Sequence, residues 1–138
     1  MKVLIVVFLL FAFSEAKAVT KCELVKALYN AGIPKAQLPD WVCLVQYESL
    51  FNTEAKYGPN KDGSYDYGIF QINSRYWCGI GKVGGECNLN CNSLLNNDIS
   101  DDITCAKRIY SRHKFSAWVA WDKYCNGKPL PPISDCKI

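Results

Sequence analysis

Eight cysteines constrain the fold of this 138-residue chain more than any other feature of its sequence. They follow an apolar N-terminal run, Val3 to Phe13, that is typical of a secretory signal peptide. An even number of cysteines in an exported chain predicts four disulfides, for which the sequence alone allows 105 connectivities. A zinc site is disfavoured, because no Cys-x-x-Cys pair occurs and His113 is the only histidine.

Residues 1–16 are predicted to be a cleaved signal peptide, because the sequence SEA that ends at Ala16 has the small residues that signal peptidase requires. Cleavage after Ala18 fits the same rule and is the alternative. The apolar run is shorter than the roughly 20 residues of a membrane-spanning helix, and no later run reaches that length. We therefore expect residues 17–138 to form a single secreted domain without a membrane anchor.

The net charge of +3 is far below that of a typical nucleic-acid-binding protein. Basic residues are scattered, with one loose group at Lys107, Arg108, Arg112 and Lys114 that is interpreted as the solvated face of a helix. A membrane-disrupting antibacterial protein is the alternative that such a charge suggests. It is disfavoured, because the sequence contains no strongly amphipathic cationic helix. Nucleic acid is not an expected partner.

Periodicity and turn signals together predict an α+β domain. Helices are predicted over residues 22–30, 39–55, 100–110 and 117–124. Asp62 and Gly63 lie between residues with high β-propensity and predict a small antiparallel hairpin. The stretch 79–97, rich in Gly, Asn and Cys, is predicted to be a long loop that disulfides hold in place.

The second predicted helix carries an acid where its apolar stripe would continue. Trp41, Leu44 and Val45 recur at helical spacing, and the next position of the stripe is Glu48. Partial burial raises the pKa of a carboxyl group, which suits a general acid at neutral pH. Asp66, just after the predicted hairpin turn, is the candidate for a second, ionised carboxylate. The two acids form a candidate catalytic pair, although single acids at such positions are more often simply solvated.

Three segments of the chain resemble the c-type lysozyme family, and the match runs from Cys22 to Cys136. They are WVCLVQYES at 41–49, DGSYDYGIFQINSRYWC at 62–78, and CAKRIY with AWVAW between 105 and 121. In the middle segment, an acid followed by Tyr-Gly and then by Gln-Ile-Asn-Ser-Arg is especially specific to the family. The chain resembles the compact insect members more than the vertebrate ones.

The resemblance implies a lysozyme-like fold, in which a mainly helical domain and a small antiparallel β-hairpin subdomain enclose a cleft. Glu48 matches the family's proton donor and Asp66 its second carboxylate, and Trp118 matches the tryptophan that lines the pocket of the acid. The expected activity is retaining hydrolysis of the β-1,4 bond between N-acetylmuramic acid and N-acetylglucosamine in bacterial peptidoglycan. Such a bacteriolytic enzyme serves antibacterial defence or digestion.

The resemblance also implies residues that contact the substrate and a set of disulfides. Substrate contacts are expected from Asn60, Gln71, Asn73, Tyr76, Trp77 and Trp118. Tyr76 departs from the tryptophan of many members, so we expect weaker stacking of a sugar there. The implied disulfides are Cys22–Cys136, Cys43–Cys125, Cys78–Cys91 and Cys87–Cys105. A monomer without a cofactor is expected.

A noncatalytic, calcium-binding relative in the manner of α-lactalbumin is the alternative within the family. It lacks the full carboxylate pair that this chain retains. Asp98, Asp101 and Asp102 lie where calcium-binding members carry ligands, but Asn96 replaces a further acid. Asp101 and Asp102 are also explained as first-turn acids of a helix with Ser100 as its N-cap. No metal site is therefore predicted.

Overall fold

The computed structural model describes residues 18–138, and the predicted signal peptide lies outside the described residues. Four α-helices are present: α1 Lys21–Asn30, α2 Leu38–Ser49, α3 Ser100–His113 and α4 Val119–Tyr124. Three short strands, β1 Lys56–Tyr57, β2 Asp66–Tyr67 and β3 Ile72–Asn73, form an antiparallel sheet in the order β1-β2-β3. Short 3₁₀ helices cover Lys35–Gln37, Cys91–Leu95 and Lys114–Ala117. The predicted α+β fold is confirmed.

The predicted extension of the second helix to residue 55 is wrong, because α2 ends at Ser49. Leu50 and Phe51 both adopt positive φ angles, of 53° and 62°. A right-handed α-helix cannot continue through such residues. The side chain of Asn52 then accepts a hydrogen bond from the backbone N–H of Glu54 at 2.8 Å. This local turn competes with the helix and directs the chain into the sheet.

The predicted N-cap of α3 is also wrong, because Ser100 is the first residue of the helix and Ile99 precedes it. The side chain of Asp98 instead accepts hydrogen bonds from the backbone N–H and the hydroxyl of Ser100, at 3.0 Å and 2.7 Å. The helix extends to His113, three residues beyond the predicted end at Tyr110. The last helix begins at Val119, since 114–117 form a tighter 3₁₀ turn.

Trp41 of α2 lies at the centre of the hydrophobic core and is fully buried. Its ring contacts Phe70, Phe115 and Trp118 at centroid distances of 5.7, 5.1 and 5.4 Å. The core therefore joins α2 to the segment before β3 and to the chain around α4.

Four disulfides link the described elements. Two of them, Cys22–Cys136 and Cys43–Cys125, join α1 and α2 to the C-terminal part of the chain. The other two, Cys78–Cys91 and Cys87–Cys105, hold the loop 79–97 together and attach it to α3. The pairs are those that the resemblance implied. The covalent links give the long loop the support that its composition predicts it needs.

Candidate active site

The two candidate carboxylates lie on different elements and face one cleft. Glu48 is the penultimate residue of α2, and Asp66 is the first residue of β2. Both line a cavity of about 860 Å³ and a smaller adjoining cavity of about 290 Å³. The structure thus brings the predicted pair together between the helical part and the sheet.

Burial raises the pKa of Glu48 from its ordinary value of 4.5 to about 7. The negative charge of Asp66 adds to this rise, while a hydrogen bond from the backbone N–H of Ala120 opposes it. Trp118 lines the same smaller cavity, and its indole N–H donates to the carbonyl of Phe70 at 2.9 Å. This bond fixes the orientation of the indole beside the cavity that Glu48 also lines.

Asp66 has a polar environment, in contrast to Glu48. The side-chain amide of Asn73 donates to one carboxylate oxygen of Asp66 at 2.9 Å, and that of Asn60 donates to the other at 3.3 Å. The cleft therefore combines a carboxyl group that burial favours in the protonated state with a second carboxylate that two amides hold in place by hydrogen bonds.

The remaining predicted substrate contacts extend along the cleft. Gln71 lines both cavities, and its side-chain amide donates to the carbonyls of Ala55 and Gly68 at 3.2 Å and 3.0 Å. Tyr76 is 63% exposed and lines a further cavity of about 820 Å³ with Trp77. Asn73 and Trp77 line both this cavity and the smaller one, so the groove continues from the carboxylates to Tyr76.

Sequence reasoning missed an aromatic wall on the other side of the carboxylates. Tyr47 and Tyr124 stack at a centroid distance of 4.6 Å and both line the larger cavity. Tyr57, which is 67% exposed, lines the same cavity from β1. The position of Tyr47 directly before Glu48 is a weak sequence signal for this wall. No pattern in the sequence connects Tyr47 to Tyr124.

The acidic segment 96–102 does not present its carboxylates to a common point. Asp98 accepts hydrogen bonds from Ser100, and one oxygen of Asp101 accepts from the backbone N–H of Asp102. Asp102 is buried rather than exposed in the first turn, and neither of its oxygens has a hydrogen-bond partner among the described residues. Within residues 18–138, the acids of this segment bring no three ligand atoms within 4.8 Å of one another. The absence of a metal site stays a prediction.

Comparison with known proteins identifies the family. The sequence model of the C-type lysozyme/alpha-lactalbumin family matches residues 17–136. The chain is 57% identical to lysozyme c-1 of Anopheles gambiae over 134 residues, which are 97% of this chain and 95% of that protein. It is 51% identical to the lysozyme of Galleria mellonella over 121 residues, 87% of this chain and all of that protein.

The structure also matches that of a solved lysozyme. The crystal structure of recombinant canine milk lysozyme in its apo form superposes with a TM-score of 0.80 at 43% identity. The match covers 88% of this chain and all of the canine chain. This chain therefore belongs to the C-type lysozyme/alpha-lactalbumin family.

Proposed function

We propose that this chain is a secreted lysozyme that hydrolyses the β-1,4 bond between N-acetylmuramic acid and N-acetylglucosamine of bacterial peptidoglycan. One observation carries the proposal. Glu48 and Asp66 line one cleft, and burial raises the pKa of Glu48 to about 7 while two amides hydrogen-bond to Asp66. A carboxylic acid beside an ionised carboxylate is the arrangement that glycosidases use.

In the proposed reaction, protonated Glu48 donates its proton to the glycosidic oxygen as the bond breaks. Asp66 stabilises or captures the positive charge that develops at the anomeric carbon. The ionised Glu48 then removes a proton from the incoming water, which attacks so that the anomeric configuration is retained. The hydrogen bonds from Asn60 and Asn73 to Asp66 hold the second carboxylate in place during these steps.

Substrate binding is assigned to the predicted residues along the groove. Gln71 lies beside both carboxylates, where its amide oxygen is available to a sugar hydroxyl. Tyr76 and Trp77 offer ring faces to the apolar sides of the sugars farther along the groove. Asn60, Asn73 and Trp118 complete the set, with Trp118 acting mainly through the pocket of Glu48.

The noncatalytic α-lactalbumin-like function is less favoured, because the chain keeps both carboxylates and its relatives at 48% to 57% identity include several insect lysozymes. Secretion as a monomer after removal of residues 1–16 is part of the proposal, with Ala18 as the alternative cleavage point. None of the described helices is long and apolar enough to cross a membrane.

The test is the rate at which the purified protein clears a peptidoglycan suspension between pH 4 and pH 9. Glu48→Gln should abolish clearing, because it removes the proton donor without changing the size of the side chain. Glu54→Gln is the matched control, since Glu54 lines the same cavity but is exposed, and it should keep its activity. Clearing that persists in Glu48→Gln would contradict the hydrolase, and bacterial killing that persists would favour membrane disruption.

A further inference from the structure

An exposed apolar surface lines the larger cavity beside the two carboxylates. Of the ten large hydrophobic side chains that are exposed within residues 18–138, five line this cavity. Leu50 and Val119 are the most exposed of the ten, at 78% and 77%, and Tyr47, Tyr57 and Tyr124 are the other three in the cavity. Together these five residues form what we call the apolar surface. Apolar side chains that are exposed side by side mark a place where another molecule binds.

The apolar surface is continuous with the candidate active site. Leu50 follows Glu48 by two residues, directly after the end of α2. Val119 also lines the smaller cavity, which both carboxylates line. On the sheet side, Tyr57 is the partner of Asp66 in the antiparallel register, so these two side chains project from the same face. A substrate that occupies the larger cavity therefore contacts the apolar surface.

The composition of the apolar surface suits a peptide better than a sugar ring. The side chains of Leu50 and Val119 are aliphatic, so they offer neither a flat face for stacking nor a hydrogen-bonding partner for a hydroxyl group. Tyr47 and Tyr124 stack at 4.6 Å with an angle of 13° between their planes, so each ring already covers one face of the other. Small apolar groups, such as the methyl group of alanine, are favourable against such a surface.

A cation lies at the edge of the apolar surface. Lys123 lines the same cavity, and its ammonium nitrogen lies 5.6 Å from the centroid of the Tyr124 ring. In the part of the chain that the structure describes, Lys123 forms no ion pair, although the exposed acid Glu54 lines the cavity as well. Lys56 also lines the cavity, but its side chain projects from the face of the sheet opposite to Asp66. Lys123 is therefore the cation that can pair with a carboxylate bound at this surface.

We propose that the apolar surface and Lys123 bind the peptide stem that peptidoglycan carries on its N-acetylmuramic acid. The inference rests on the proposed function, which supplies the occupant. Because N-acetylmuramic acid alternates with N-acetylglucosamine, a stem is attached within two sugars of the cleaved bond on either side. The stems contain alanine and carry free carboxyl groups, which match the aliphatic side chains and the cation. The surface thus adds recognition of the peptide to recognition of the sugar chain.

The experiment compares kcat/KM on soluble peptidoglycan strands that carry stems, on the same strands after an amidase has removed the stems, and on an N-acetylglucosamine oligomer. We expect the unmodified protein to cleave stem-bearing strands at least about fivefold more efficiently than stem-free strands. Val119→Thr keeps the shape of the side chain but adds a hydroxyl, and it should lower kcat/KM about three- to fivefold for stem-bearing strands only. Val83→Thr is the matched control, since Val83 is 62% exposed but lines none of the cavities of the groove.

A second variant tests the cation independently. Lys123→Gln should lower kcat/KM for stem-bearing strands about two- to threefold at low salt, and this difference should vanish at high salt, where the attraction between charges is screened. Lys137→Gln is its control, because Lys137 is exposed and lies outside these cavities, and it should have no effect at either salt concentration.

Two results would overturn the proposal. One is equal cleavage of stem-bearing and stem-free strands by the unmodified protein. The other is an equal loss in Val119→Thr on all three substrates, which would assign the apolar surface to the sugar chain. If the unmodified protein cleaves none of the substrates, the proposed function fails instead. Calorimetric titration of stem-bearing and stem-free strands into the unmodified protein and into Val119→Thr then decides the inference separately.

Discussion

Replacing Glu48 by Gln should make the protein more stable above neutral pH while it abolishes turnover. Burial raises the pKa of Glu48 from 4.5 to about 7, so the folded state holds a proton that the unfolded state releases. This group costs no stability below about pH 4.5, costs progressively more as the pH rises towards 7, and costs a constant amount above that. At ~1.4 kcal/mol per pKa unit, the total cost is about 3 kcal/mol.

Urea unfolding of the disulfide-bonded protein at pH 4 and pH 8 measures this cost. The free energy of unfolding of Glu48→Gln, minus that of the unmodified protein, should be about 3 kcal/mol larger at pH 8 than at pH 4. The subtraction cancels the titrating groups that do not interact with Glu48, including the buried Asp102. Glu54→Gln is the control variant, because Glu54 lines the same cavity as Glu48 but is exposed.

A difference for Glu48→Gln that is equal at pH 4 and pH 8 would refute the reasoning, since it would mean that burial does not perturb this acid. The activity of the unmodified protein provides an independent check. About half of Glu48 carries the proton at pH 7, so turnover should fall roughly tenfold per pH unit well above pH 7. A basic limb centred far below pH 7 would contradict the same argument.

Three further predictions follow from buried or strained positions and from the sugar-binding groove. Burial, reinforced by Asp101, raises the pKa of Asp102 to about 9, so ionising Asp102 lowers the free energy of unfolding by up to ~1.4 kcal/mol per pH unit between about pH 4 and pH 9. Thermal unfolding should therefore show that Asp102→Asn stabilises the protein at pH 8 but not at pH 3. Gly68→Ala should lower the free energy of unfolding, measured in urea, by at least ~2 kcal/mol, because φ of Gly68 is +77° and the new Cβ would lie 2.4 Å from the carbonyl oxygen of Leu94. An unchanged urea midpoint would contradict the structure. Tyr76→Trp should lower the KM for an N-acetylglucosamine oligomer about two- to threefold with kcat unchanged, since Tyr76 is 63% exposed and a larger ring offers more stacking area; an unchanged KM would place this side chain outside the substrate path.

Periodicity predicted the four helices and the ends of α1 and α4, but not the ends of α2 and α3. The apolar stripe of α2 is a property of many residues, whereas its end depends on the positive φ angles of Leu50 and Phe51. Nothing in the side chains of Leu50 and Phe51 favours that conformation, so it is imposed by tertiary contacts such as the hydrogen bond from the backbone N–H of Val19 to the carbonyl of Phe51. Ser100 was misassigned for a related reason, because Asp98 offers the same capping chemistry two residues earlier.

The candidate site was predictable in part. The apolar stripe of α2 that continues at Glu48 indicated a partly buried acid. The family motif around Asp66 indicated the second carboxylate. The hydrogen bond from Asn60 to Asp66 was not predictable, since it depends on the conformation of the eight residues that separate β1 from β2. The stack of Tyr47 on Tyr124 likewise depends on how α4 packs against α2, which the sequence pattern does not specify.

Glu48 lies at the end of α2 and Asp66 lies in the sheet, so their relative position depends on the contacts that join the helical part to the sheet. Next to Glu48, the hydroxyl of Ser49 donates to the carbonyl of Ile69 at 2.7 Å. The indole of Trp118 donates to the carbonyl of Phe70 at 2.9 Å. Both bonds end on the segment 68–70 between β2 and β3, and the backbone N–H of Gly68 attaches this segment to Ala55, just before β1, at 2.7 Å. This segment therefore fixes the distance between the acid and Asp66, and changes in its backbone should affect turnover more than their effect on stability alone would explain.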